Sequence, residues 1–246
     1  MSNNLNEAKI QKIMNEVNEG KYDNYKSYEW DTLFLRFQQF YENQGDDTKM
    51  RFMLAERLIH SMKYDYETKK FKSELGEELQ PKGGEYSYYR KRSHEINSPI
   101  LKARYADVAW IGLREHDLIL MAINSYIKSF PLLLKKNMNQ ELITYLIRSV
   151  HLLPELENRD KKLKIDALKT IIDTMEIIVK KKEIIRIKKT LEIFRALLVE
   201  KLKDWEEIEW LKVCELLENA IQYLSINEAM RNSFEKLLEI CRFRTK

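Results

Sequence analysis

Apolar side chains recur at alternating steps of three and four through the second half of the chain. Ile165, Leu168, Ile172, Met175 and Val179 form one such series, and Ile184, Ile187, Leu191, Phe194 and Leu198 a second. Trp210, Cys214, Leu217, Ile221 and Leu224 form a third, and Met230, Phe234, Leu237 and Cys241 a fourth. A period near 3.6 places each series on one face of a helix. The spacing predicts helices near 159–181, 183–203, 205–224 and 227–243. Asp204 with Glu207, and Ser225 with Glu228, have capping-box spacing at two of the starts. Connections this short make neighbouring helices run antiparallel.

The middle of the chain opens on Ser98 as a cap and Pro99 in the first helical turn, where its missing N–H costs nothing. A helix is expected from there to about Gly112, a second from about Glu115 to Phe130, ended or kinked by Pro131, and a third from about Asn139 to Leu153. In the first third, Leu5–Val17, Glu29–Glu42 and Asp47–Lys63 read as amphipathic helices. Between Tyr64 and Asn97 the periodicity fades, and Gly76, Pro81, Gly83 and Gly84 gather there. This stretch is expected to be an irregular insertion or linker. It separates an N-terminal helical segment, 1–63, from a helical-hairpin array, 98–246. The alternative is one continuous domain, 1–246.

Composition narrows the fold class. The 246 residues hold 6 glycines and 4 prolines, all at or before Pro154. Glycine costs a helix interior about 1 kcal/mol and proline about 3. The expected fold is therefore all-α, as antiparallel helical hairpins in an elongated bundle or short α-solenoid. The 43 basic and 39 acidic side chains leave a formal charge of +4, a weak bias that permits a nucleic-acid partner without requiring one. No apolar run approaches the roughly 18 residues of a bilayer span, so no membrane association is expected. Cys214 and Cys241 fall on apolar helical faces, and their spacing suggests neither a metal site nor a disulfide framework. With no secretory signal at the start, the expected location is the cytoplasm.

Candidate chemistry is sparse. His60, His94, His116 and His151 are far apart and form no metal-ligand spacing. Each is assigned a surface or half-buried structural role. There is no phosphate-binding glycine loop and no nucleophile elbow. No cofactor, no metal and no catalytic residue is expected. Two basic clusters remain. Lys180, Lys181, Lys182, Arg186, Lys188 and Lys189 place six cations within ten residues. They either complement a helix C-terminus or form a phosphate-backbone patch. Tyr86 and Ser87, then Tyr88, Tyr89, Arg90, Lys91 and Arg92, interleave aromatic and basic groups, the combination that holds single-stranded nucleic acid.

The string from Ser98 to Trp110 contains Ala103, Arg104, Ala106, Asp107 and Trp110. It resembles an ARxADxxW helix in a family of uncharacterised bacterial proteins. There a long helical N-terminal region precedes a small C-terminal domain of unknown function marked by RNxxxHG. The resemblance implies a multi-helix accessory region, often in large proteins of defence-associated type. The C-terminal motif is absent here. Arg231 and Asn232 begin such a string, but position 236 is Lys236, not histidine, so no ribonuclease-like activity is carried over. Arg104 and Asp107, three residues apart, share a helix face and are expected to form a structural ion pair.

The leading functional expectation is a non-enzymatic interaction or scaffolding module with a protein partner, as part of a prokaryotic antiviral system. The alternative is a nucleic-acid-binding module using 180–189 and 86–92, and a third reading is a ribonuclease-associated subunit.

Overall fold

A computed structural model describes residues 5–65, 70–73, 83–180, 193–195, 207–223 and 228–244. The described part is all-α apart from one short hairpin. Helices α1 (Glu7–Asn18), α2 (Ser27–Asn43) and α3 (Asp47–Ser61) come first, then strands β1 (Met62–Asp65) and β2 (Lys70–Ser73). Helices α4 (Gly83–Glu95), α5 (Pro99–Leu113), α6 (His116–Lys135) and α7 (Asn139–Leu152) follow. Last come α8 (Lys161–Lys180), α9 (Glu207–Tyr223) and α10 (Glu228–Arg244). The chain divides into two compact units, Met1–Ser125 and Tyr126–Lys246, with the division inside α6.

In the first unit the starts of α1, α3 and α5 are fixed by side-chain caps. Asn6 Oδ1 accepts from the Lys9 amide at 2.9 Å, and Asp46 Oδ1 from the Lys49 amide at 3.0 Å. Each satisfies an amide that the first turn leaves without an intrahelical partner. At α5, Ser98 Oγ accepts from the Leu101 amide, with Pro99 in the first turn as expected. The same Oγ donates to Asp23 Oδ1 at 2.8 Å, and the amides of Asn97 and Ser98 donate to the Asn18 carbonyl. The corner before α5 is thereby tied to the loop after α1. Gly20, at φ +78°, lies in that loop, and a Cβ there would stand 2.9 Å from the Ser98 Cβ. Only glycine meets both conditions.

The stretch 64–97 departs from its irregular reading. Its first residues pair in an antiparallel hairpin, Met62 opposite Ser73 and Tyr64 opposite Phe71, and α4 occupies Gly83–Glu95. Helix α3 correspondingly stops at Ser61 rather than Lys63, because Met62 turns to extended backbone (φ −69°, ψ 133°). Helices α4 and α5 pack as a pair, and α3 touches both. Gly112 on α5 lies under the Tyr86 ring, where a Cβ would come within 2.2 Å of Cγ. Replacing a helical glycine by alanine ordinarily stabilises by about 1 kcal/mol. Here the overlap with the ring outweighs that gain. Gly112→Ala is expected to lower stability by about 1–3 kcal/mol, the usual cost of overpacking. A urea titration showing a net gain would contradict this account.

Helix α6 runs through Pro131 instead of ending there. Pro131 is on the exposed side, while Phe130 and Leu133 beside it are fully buried, so packing holds the helix past the interruption. Asn137, in left-handed backbone at φ 55°, ends the turn after it. By length and composition α6 could cross a membrane, but half of its most apolar window is buried inside the protein. The sequence reading found no such candidate. In the second unit, Leu168, Ile172, Met175 and Val179 of α8 are buried, as their spacing predicts. So are Trp210, Cys214 and Leu217 of α9 and Phe234, Leu237 and Cys241 of α10. Phe194 packs edge-on against Phe234, with centroids 5.9 Å apart. Helix α9 packs on both α8 and α10. The caps expected at Asp204 and Ser225, and most of the helix expected at 183–203, lie outside the described residues.

Candidate functional site

Helix α3 carries Glu56 on the same face as Met53, Ile59 and His60, and all four are buried. A carboxylate on an apolar stripe is costly unless charged or polar partners replace its water. Here they do. Arg92 of α4 donates from Nε to Glu56 Oε1 at 2.7 Å, and the Tyr88 hydroxyl donates to the same oxygen at 2.5 Å. The Tyr105 hydroxyl of α5 donates to Oε2. His60 lies one turn along α3, its Nε2 3.6 Å from Oε2 and 3.1 Å from the Tyr105 oxygen. The Tyr105 proton goes to Glu56, so the His60 Nε2–H is the donor to Tyr105. That leaves Nδ1 as a bare acceptor, without a partner among the described residues.

The His60 ring fills an aromatic slot. It stacks on Trp30 at 3.9 Å and on Phe34 at 5.4 Å, both nearly parallel. Burial there pushes its pKa down to about 4, with Arg104 and Arg92 acting in the same direction and Glu56 opposing. Burial would raise the pKa of Glu56, but Arg92 above all, then His60 and Tyr105, outweigh it and hold it at about 2. Burial beside Glu56 drives the Tyr88 and Tyr105 hydroxyls well above the ordinary phenol value. At neutral pH the cluster is one buried carboxylate, one guanidinium, a neutral imidazole and neutral phenols, with the partly exposed Glu95 at its edge on Arg92 Nη1. Glu56 is 0% exposed and His60 2%, so no substrate atom reaches either.

This geometry redistributes the aromatic–basic string at 86–92. Tyr89 is fully buried and donates to the Ala55 carbonyl at 2.8 Å. Tyr88 stacks on Phe52 at 4.5 Å while its hydroxyl serves Glu56. Arg92 is buried, with Nη1 on Asn18 Oδ1 at 2.8 Å and on Glu95 Oε2 at 3.1 Å, and Nη2 without a partner among the described residues. These three side chains are therefore not free to stack on or neutralise a nucleic-acid strand. Helical spacing separates the string: one side of α4 turns to the core, and the other presents Arg90, Lys91 and His94. With Ser87 and Glu95 these line an open depression. Both cations there have carboxylate neighbours: Arg90 Nε is 2.8 Å from Glu115, and Lys91 Nζ is 3.7 Å from Glu95.

Of the expected Arg104–Asp107 pair, Arg104 reaches the Ile59 carbonyl at 3.4 Å, in the last turn of α3, where carbonyls lack helical partners. Asp107 is fully buried. Of the second basic cluster, Lys180 is exposed and pairs with Glu176. Lys181, Lys182, Arg186, Lys188 and Lys189 lie outside the described residues. Among the described residues no three histidine, cysteine or acidic side chains gather to hold a metal ion.

Sequence reasoning missed Glu56 altogether and gave His60 a surface or half-buried role. The available signal was a charged residue in phase with Met53 and Ile59 on an amphipathic helix, four residues before a histidine.

Residues 85–165 match a family described as a domain of unknown function, DUF7380. The match covers a third of the chain and includes the Ala103–Trp110 string. It includes Tyr88, Arg92 and Tyr105 but not Glu56 or His60. No curated protein matches the chain, and no solved structure does.

Proposed function

We propose that the chain is a helical interaction module that binds a protein partner and performs no chemistry of its own. The observation that carries this reading is Phe243, 81% exposed on α10. Ile240, three residues earlier and on the same face, is also exposed. Leu211, exposed on α9, follows Trp210, whose carbonyl meets Cys241 Sγ at 3.3 Å. Large apolar side chains left in water at one end of a helical hairpin are the usual mark of a contact surface. The groups best suited to acid–base chemistry, Glu56 and His60, are by contrast closed off and occupied by one another. The proposal puts the module in the cytoplasm, in the defence-associated setting that the ARxADxxW resemblance implies.

The test uses the full chain and an Ile240→Asp, Phe243→Asp variant as baits in host extract. Proteins retained by the parent chain should be lost from the variant while helical content is unchanged. Identical retention by both, or RNA turnover by the purified chain, would rule against the reading.

A second reading is nucleic-acid binding, supported by the exposed Arg90, Lys91 and Lys180. It requires RNA or DNA affinity that falls steeply with salt and is lost when Lys180, Lys181 and Lys182 become glutamate.

A further inference from the structure

The chain's two cysteines, 27 positions apart, meet across the α9–α10 pair, with Cys214 Sγ and Cys241 Sγ 2.6 Å apart. Neither is in a disulfide. Each lies among buried apolar neighbours, Val213 and Leu217 on α9 and Leu237 and Leu238 on α10. Separate periodic stripes placed the two residues on helical faces, and the packing of the hairpin makes those faces one seam. We propose that Cys214 and Cys241 are a redox modification site, oxidised by a hydroperoxide to an intramolecular disulfide that clamps α9 to α10.

Cys214 keeps 7% of its surface exposed and Cys241 none, so Cys214 meets the oxidant first. Its thiolate sulfur attacks one peroxide oxygen. The O–O bond breaks, the second oxygen leaves as water after protonation, and Cys214 becomes a sulfenic acid. The Cys241 sulfur then attacks the Cys214 sulfur. The S–S bond forms, the S–O bond breaks, and the hydroxyl leaves with the Cys241 proton as a second water. Two thiols lose two electrons in total, and one hydrogen peroxide is reduced to two waters. A dithiol reductant reverses the step by exchange. Contact between the sulfurs favours the second attack over further oxidation of the sulfenic acid. The clamp would hold the hairpin that presents Leu211, Ile240 and Phe243.

The experiment treats the reduced, purified full chain with one equivalent of hydrogen peroxide. Intact mass should fall by two hydrogens, and both thiols should disappear together from a titration in denaturant. The chain should remain monomeric on a non-reducing gel, and dithiothreitol should restore the original mass. Closing a loop of this length should raise the thermal midpoint of the oxidised chain by about 7–14 °C. Cys214→Ser should lose the two-hydrogen product. The parent chain alone decides the matter if that variant does not fold. Oxygen adducts on the parent without the two-hydrogen loss, a disulfide-linked dimer, or two thiols still titratable would each overturn the proposal.

Discussion

Replacing Glu56 by alanine should lower the stability of the first unit by about 3–5 kcal/mol, the usual cost of removing one partner from a buried ion pair. The variant leaves the buried Arg92 guanidinium with only the partly exposed Glu95 as an anionic partner, and Nη2 has no partner among the described residues. It also strips the Tyr88 and Tyr105 hydroxyls of their acceptor. An unmade buried hydrogen bond costs about 1–3 kcal/mol, so the phenols add to the loss. Trp30 stacks on His60 and so reports locally. Its fluorescence should show the transition move to lower urea. Glu56→Gln keeps the volume and one acceptor oxygen, and should lose less. A shift under 1 kcal/mol for Glu56→Ala would mean that Glu95 and water suffice for Arg92, and the sealed-cluster account would fail.

Acid should unfold the same unit in two steps. His60 titrates near 6.5 when unfolded and near 4 when folded. The unfolded chain therefore binds the extra proton, and stability falls as the pH drops from 6.5 to 4. At 1.36 kcal/mol per unit this limb is worth about 3 kcal/mol. Glu56 adds a second limb from its ordinary 4.5 down to about 2, over which protonation removes the anion that Arg92 needs. His60 contributes in full above pH 6.5 and Glu56 in full above pH 4.5. The check is a set of urea midpoints between pH 7 and pH 3 for the parent chain and for His60→Asn. The variant should flatten the limb above pH 4 and keep the steeper fall below it. An unchanged slope in His60→Asn would assign the first limb to other groups.

The folded positions of the long helices were legible because their apolar residues keep a clean period. The stripe of α8 at Leu168, Ile172, Met175 and Val179 is buried as its spacing requires. The cap at Ser98 followed from the identity of two adjacent residues. Helix α4 was not legible, because its inward positions are filled by Tyr89, Arg92 and Ser93. A pattern that counts arginine and serine as outward groups sees no stripe there. The polar cluster was hidden for the same reason. Glu56 occupies an apolar phase of α3, and the groups that make this tolerable come from α4 and α5, 32 to 49 positions later. Local spacing also does not show contacts between helices, such as that of Arg104 with the Ile59 carbonyl.

The DUF7380 match begins at residue 85, between the carboxylate of Glu56 and the groups that serve it. A polypeptide cut at that point keeps a guanidinium and two phenols shaped around a buried carboxylate and discards that carboxylate. Within the matched stretch Arg92 keeps Glu95, 3.1 Å from Nη1 and partly exposed, but its fully buried counter-charge comes from a helix upstream. The limit of sequence similarity falls inside a single electrostatic unit.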